Sequence, residues 1–124
     1  MITSIWNVIE HVDNLEYFIY SCSKSTKRNG WLIFDCNNIF NKDHYGSLNF
    51  YLNKLKVLAG LRKFKFKIPS HKNANVNMYD PKLIKSVLIN RGFSIENIIY
   101  LQYSSGKEVN DRKGQALYFC MYLR

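Results

Sequence analysis

The chain has 124 residues, 47% hydrophobic and 15% aromatic, enough for one packed domain and too apolar for disorder. No apolar run reaches the length of a membrane span, and the N-terminus lacks the basic-then-apolar plan of a signal peptide. An intracellular protein is expected, soluble or peripheral to a membrane, in the cytoplasm or an organelle. The formal charge of +9 predicts attraction to RNA, an anionic membrane or an acidic partner, and equally reflects a coding sequence rich in A and T.

Residues 1–6 are partly apolar and predict a short strand, followed by a corner at Val8-Ile9-Glu10-His11-Val12. Asp13 and Glu16 make a plausible capping box, and Leu15, Phe18, Ile19 and Cys22 follow at helical spacing, so a helix of about three turns is expected over 14–25. Lys27-Arg28-Asn29-Gly30 then closes the helix and reverses the chain. Trp31-Leu32-Ile33-Phe34 does not alternate, which is the pattern of a parallel strand covered on both faces. It ends in Asp35-Cys36-Asn37-Asn38. Strand, helix, strand in this order is a crossover unit with parallel strands. Ligands of such sheets lie beyond the carboxyl ends of the strands, so 35–38 and the corner at 6–11 are expected to face one crevice.

Over 48–61 the apolar residues Leu48, Tyr51, Leu52, Leu55, Leu58 and Ala59 share one helical face, with Lys54 and Lys56 off it. Lys63, Lys65 and Lys67 then alternate with Phe64, Phe66 and Ile68 at strand period until Pro69. This basic, aromatic stretch interrupts the α/β rhythm and reads as an insertion at about 46–72 within a single domain over 1–124. Asp80 as cap, Pro81 at the first helical position, Leu83, Ile84, Val87 and Leu88 as buried stripe and Gly92 as terminator predict the next helix. Residues 95–103 and 115–123 are apolar enough to form an antiparallel hairpin across a polar loop at 104–114. Cys22, Cys36 and Cys120 are odd in number, far apart and set in apolar sequence, so they are expected as buried thiols.

The corner Asn7-Val8-Ile9-Glu10-His11-Val12, the helix after it, the turn ending in Gly30 and the strand ending in Asp35 to Asn38 resemble the later half of a class I S-adenosylmethionine-dependent methyltransferase. Asn77-Met78-Tyr79-Asp80-Pro81, leading into a helix that exits at Arg91-Gly92-Phe93, resembles the family's last helix. Within the family the likeness is greatest to the ubiquinone-biosynthesis O-methyltransferase group, which has a similar Ile-Glu-His corner. The resemblance implies an α/β fold: the C-terminal half of a Rossmann-like methyltransferase domain, parallel strands plus a terminal antiparallel β-hairpin. By position Met1 would stand just before the family's fourth strand. The sheet would then open at an unpaired edge with an uncovered apolar face, expected to be hidden by another chain.

The resemblance also implies a site. S-adenosylmethionine would be flanked by Trp6 and Asn7, although Gly30, Gly46, Gly60, Gly92, Gly106 and Gly114 never form the glycine-rich loop by which the family grips its cofactor. Asn7, Glu10 and His11 correspond to a magnesium site, with Asn7 standing where a carboxylate is usual, which weakens any such site. Glu10 and His11 would alternatively act as a general base pair on a substrate hydroxyl, or be an ordinary solvated Glu beside a hydrogen-bonded His. Asn37 and Asn38 face the same crevice as substrate-binding candidates.

Lys54, Lys56, Lys63 and Lys65 belong to the basic stretch, which could lie on an anionic membrane surface, track an RNA backbone, or have its apolar face cover the sheet or a partner. The last is expected of a chain whose sheet would otherwise stand open. Two function classes follow. One is methyl transfer to an oxygen of a small or lipophilic acceptor, with the cofactor loops supplied elsewhere. The other is a methyltransferase-derived protein that binds a partner chain or RNA and catalyses nothing.

Overall fold

The computed structural model describes residues 1–5, 8–68, 74–102, 105–111 and 114–124, with the backbone alone at 43, 44, 64, 66–68, 74 and 75. In chain order the elements are β1 (Ile2–Ile5), a 3-10 turn (Ile9–His11), α1 (Leu15–Ser25), β2 (Trp31–Cys36), α2 (Lys42–Leu58), β3 (Lys63–Ile68), β4 (Ala74–Tyr79), α3 (Pro81–Asn90), β5 (Phe93–Leu101), β6 (Glu108–Val109) and β7 (Gln115–Tyr122).

β1 and β2 pair in parallel around the α1 crossover, as the strand-helix-strand pattern predicts, with Ile2 opposite Trp31 and Ile5 opposite Phe34. The sheet order is β1-β2-β7-β5-β6. β7 runs antiparallel between β2 and β5, so the terminal hairpin does not merely extend the sheet. Its last strand is inserted beside β2. Glu96 falls at a register shift in β5, and the polar loop expected at 104–114 holds the short strand β6.

One face of this sheet carries the core. Leu32, Phe34 and Cys36 of β2, with Ala116, Tyr118 and Cys120 of β7, pack against Leu15, Ile19 and Cys22 of α1 and Ile84, Val87 and Leu88 of α3. Phe34 and Tyr118 are register partners whose rings stack with centroids 5.0 Å apart. The alternate residues Trp31, Ile33, Phe119 and Met121 point to the other face and are only half-buried. The continuous apolar run is therefore not a strand covered on both sides. α1 and α3 touch one another and share a single face.

Helix ends follow from the residues present. α1 starts at Asn14, whose side chain accepts a hydrogen bond from the Tyr17 amide at 2.9 Å, so the cap is Asn14 and not the expected box of Asp13 and Glu16. Asn29 (φ 59°) turns the chain after α1. At Gly30 a Cβ would stand 2.7 Å from the Lys27 carbonyl oxygen. Asp80 caps α3 by accepting from the Lys82 amide, Pro81 occupies the first turn, and Gly92 (φ 89°) follows its end, all as the sequence indicates.

The segment between β2 and α3 differs most from expectation. α2 begins at Lys42 and is broken at Gly46 (φ 82°, ψ 165°). Its apolar stripe points outward: Leu48, Tyr51, Leu52, Leu55 and Leu58 are exposed, Leu58 at 83%, and cover neither the sheet nor the core. The buried side consists of Phe50, edge-on to Phe40, and Asn53, which donates to the Ile39 carbonyl at 2.7 Å. β3 pairs antiparallel with β4, whose residues 77–79 are expected from sequence only as the entry to α3. Pro69 lies outside the described residues.

Candidate functional site

The carboxyl ends of β1 and β2 open toward the 3-10 turn, which places Glu10 and His11 beside the end of β2. The turn is held from outside by the β3–β4 hairpin. The Val12 carbonyl accepts from Asn77 Nδ2 at 2.7 Å and from the Tyr79 hydroxyl at 2.6 Å. Lys63 Nζ donates to the Asp13 carbonyl and stands 5.9 Å from the Tyr79 ring centroid. Burial pushes Tyr79 up to about 12, so it stays a hydrogen-bond donor at any physiological pH. Lys63, expected at a binding surface, thus helps to tie the corner down.

Glu10 and His11 occupy opposite environments. Glu10 is 8% exposed and its Oε2 has no hydrogen-bond partner, whereas His11 is exposed. Burial raises the Glu10 pKa above its usual 4.5, and the charge of Asp35 raises it further, against the lowering effects of a backbone hydrogen bond and of His11. Asp35, at the end of β2, is also buried. Among the described residues no group of three or more His, Cys, Asp or Glu could hold a metal ion, and nothing supports the magnesium site. Trp6 and Asn7 lie outside the described residues.

Asn37 and Asn38 are occupied by the fold. Asn37 Oδ1 accepts from Gln115 Nε2 at 3.2 Å. Asn38 Nδ2 donates to the carbonyls of Asp111 and Gly114 at 2.7 and 2.8 Å, and its Oδ1 accepts from the Phe40 amide. Asn38 is a clamp on the loop before β7 rather than a free ligand group. Lys56 and Lys65 are exposed, and Lys54 Nζ stands 4.6 Å from the Phe50 ring centroid.

Two of the hollows that border these residues bear on a site. One, of about 190 Å³, lies over the open face at the carboxyl end of β2, between Asp35, Leu101, Gln115 and Leu117. The other, of about 390 Å³, lies between α2, the loop after β2 and the start of α3. Sequence spacing misses the second because its walls come from segments scattered between Asn38 and Asp111. Sequence spacing likewise misses the ion pair of Arg62 with the buried Asp80, which joins the end of the α2 segment to the start of α3.

The mixed sheet with its helices is similar in fold to three solved S-adenosylmethionine-dependent methyltransferases. One is from Methanosarcina mazei (TM-score 0.63, 11% identity, 98% of this chain and 58% of that one). Another, described as a possible histamine N-methyltransferase, is from Thermotoga maritima (0.59, 15%, 97% and 54%). The third is from Clostridium acetobutylicum (0.59, 12%, 99% and 58%). The chain thus spans little more than half the length of these enzymes. The sequence itself matches no protein-family model and no curated protein.

The 124 residues contain no glycine-rich strand-to-helix loop, and the two positions expected to flank the cofactor, Trp6 and Asn7, are not among those described. The described residues do not by themselves make an S-adenosylmethionine site.

Proposed function

We propose that this chain contributes the acceptor-side half of an S-adenosylmethionine-dependent methyltransferase, acting on an oxygen of a small or lipophilic molecule. What supports this reading is the shared fold over 97–99% of the chain, combined with the corner at Glu10 and His11 placed beyond the parallel strands. In this reading Glu10 and His11 act as the base pair on an acceptor hydroxyl, with His11, the exposed member, meeting the acceptor and Glu10 buried next to it in sequence. The glycine-rich grip on the cofactor comes from sequence outside these residues, and the half-buried face of Trp31, Ile33, Phe119 and Met121 is where that half, or a partner chain bearing it, packs.

Thermal unfolding with S-adenosylmethionine tests this. At millimolar cofactor the melting temperature of the chain, or of its complex with a complementary half, rises by several degrees. No shift in either setting leaves the non-catalytic reading, a methyltransferase-derived binding protein for a partner chain or RNA. An RNA partner would show itself by affinity that falls steeply with salt and with neutralisation of Lys54, Lys56, Lys63 and Lys65.

A further inference from the structure

The 390 Å³ hollow, half open to solvent, combines aromatic walls with a cationic rim. Its walls are aromatic: Phe40 and Phe50 meet edge to face with centroids 6.4 Å apart, and Tyr100 closes the side toward the sheet. Its charged groups are mostly cationic. Lys82 and Lys85 sit one turn apart on α3, and Lys54 approaches from α2. Of the two carboxylates that border it, Asp80 is already engaged by Arg62 and by the Lys82 amide, and Asp111 is exposed. The described residues give Lys54, Lys82 and Lys85 no carboxylate partner. A volume of this size is within the range of pockets that enclose small organic ligands.

We infer that this hollow binds a small organic anion with a flat apolar body, of the class of aromatic carboxylates, with the ring between the Phe40, Phe50 and Tyr100 walls and the anionic group at the lysine rim. Three lysines against two carboxylates, one of them already paired, disfavour a cationic ligand, and the aromatic walls give a bare inorganic anion nothing to pack against. The loop after β2, clamped by Asn38, fixes one wall independently of ligand. Only the role of this ligand as methyl acceptor rests on the methyl-transfer reading; its binding does not.

The probe is benzoate, followed by amide chemical shifts of the labelled full chain, with benzamide and acetate in parallel. Benzoate is expected to shift the resonances of Phe50, Lys82, Lys85 and Tyr100 saturably at millimolar concentration. Benzamide, which lacks the charge, and acetate, which lacks the ring, are each expected to bind about fivefold or more weakly. The double substitution Lys82→Gln with Lys85→Gln is at exposed helix positions and should leave the melting temperature unchanged, while lowering benzoate affinity about fivefold and sparing benzamide. Equal binding of benzoate and benzamide, equal binding of acetate, or still pocket resonances would each overturn the inference. Because no cofactor is present, failure here is distinct from failure of the methyltransferase reading.

Discussion

Glu10 is the residue whose placement is hardest on folding. Its carboxylate is buried beside Asp35 with one oxygen unpartnered, an arrangement that a core optimised for stability would avoid. With the folded pKa raised, the folded state holds the proton more tightly than the unfolded chain. Its contribution therefore favours folding at low pH and is lost as pH rises from about 4.5 through the folded value. Glu10→Gln should stabilise the chain at pH 7 by about 1 kcal/mol, seen as a melting temperature higher by several degrees, and flatten that pH dependence. The thiols are simply buried: burial pushes Cys22 up to about 11 and Cys120 up to about 12, and raises Cys36 as well. Ellman's reagent should find essentially no reactive thiol in the native chain and three in denaturant, in agreement with their reading as buried small hydrophobes.

Among the elements, α3 was legible residue by residue because each of its signals is local: a cap, a proline, a stripe and a glycine within thirteen positions. Asp80 does more than its local signal says, since it also pairs with Arg62 across the start of the hairpin. Asp80→Ala should cost about 2–4 kcal/mol in chemical denaturation, whereas Asp80→Asn, which keeps the cap, should cost less. α2 shows where local signals stop. Helical spacing identifies an apolar stripe but not the surface that receives it, and here Leu48, Leu55 and Leu58 meet no other part of the core. Leu55→Lys and Leu58→Lys should change unfolding free energy by less than about 0.5 kcal/mol, while Phe50→Ala should cost about 3 kcal/mol. β4 has no signature in the sequence because its residues are buried on both faces, Val76 and Met78 together with Asn77 and Tyr79, so no alternation marks it.

For the whole molecule the open face of the sheet governs behaviour. Trp31, Ile33, Phe119 and Met121 lie half-buried across β2 and β7 while the helices of the core pack on the other side. β1 stands at the sheet's edge, paired only with β2 among the described strands. Such a face and edge favour association. Sedimentation of the isolated chain should show species larger than one chain that grow with concentration, and charge placed at Phe119 should suppress them. A monomer at all concentrations would count against a complementary half seated there.

By itself the sequence determined the crossover of β1, α1 and β2, the identity and limits of α3, the final antiparallel pair and the position of the corner at Glu10 and His11. All of these depend on contacts between residues near in sequence or on periodicity within one element. Tertiary structure alone decided that β7 slips between β2 and β5, that the stripe of α2 faces outward, and that the β3–β4 hairpin grips Val12. It also decided that Asn38 is a clamp and that lysines from α2 and α3 share one aromatic hollow. These outcomes depend on which surfaces meet at long sequence separation, where burial of one residue competes with burial of another and no local pattern records the result.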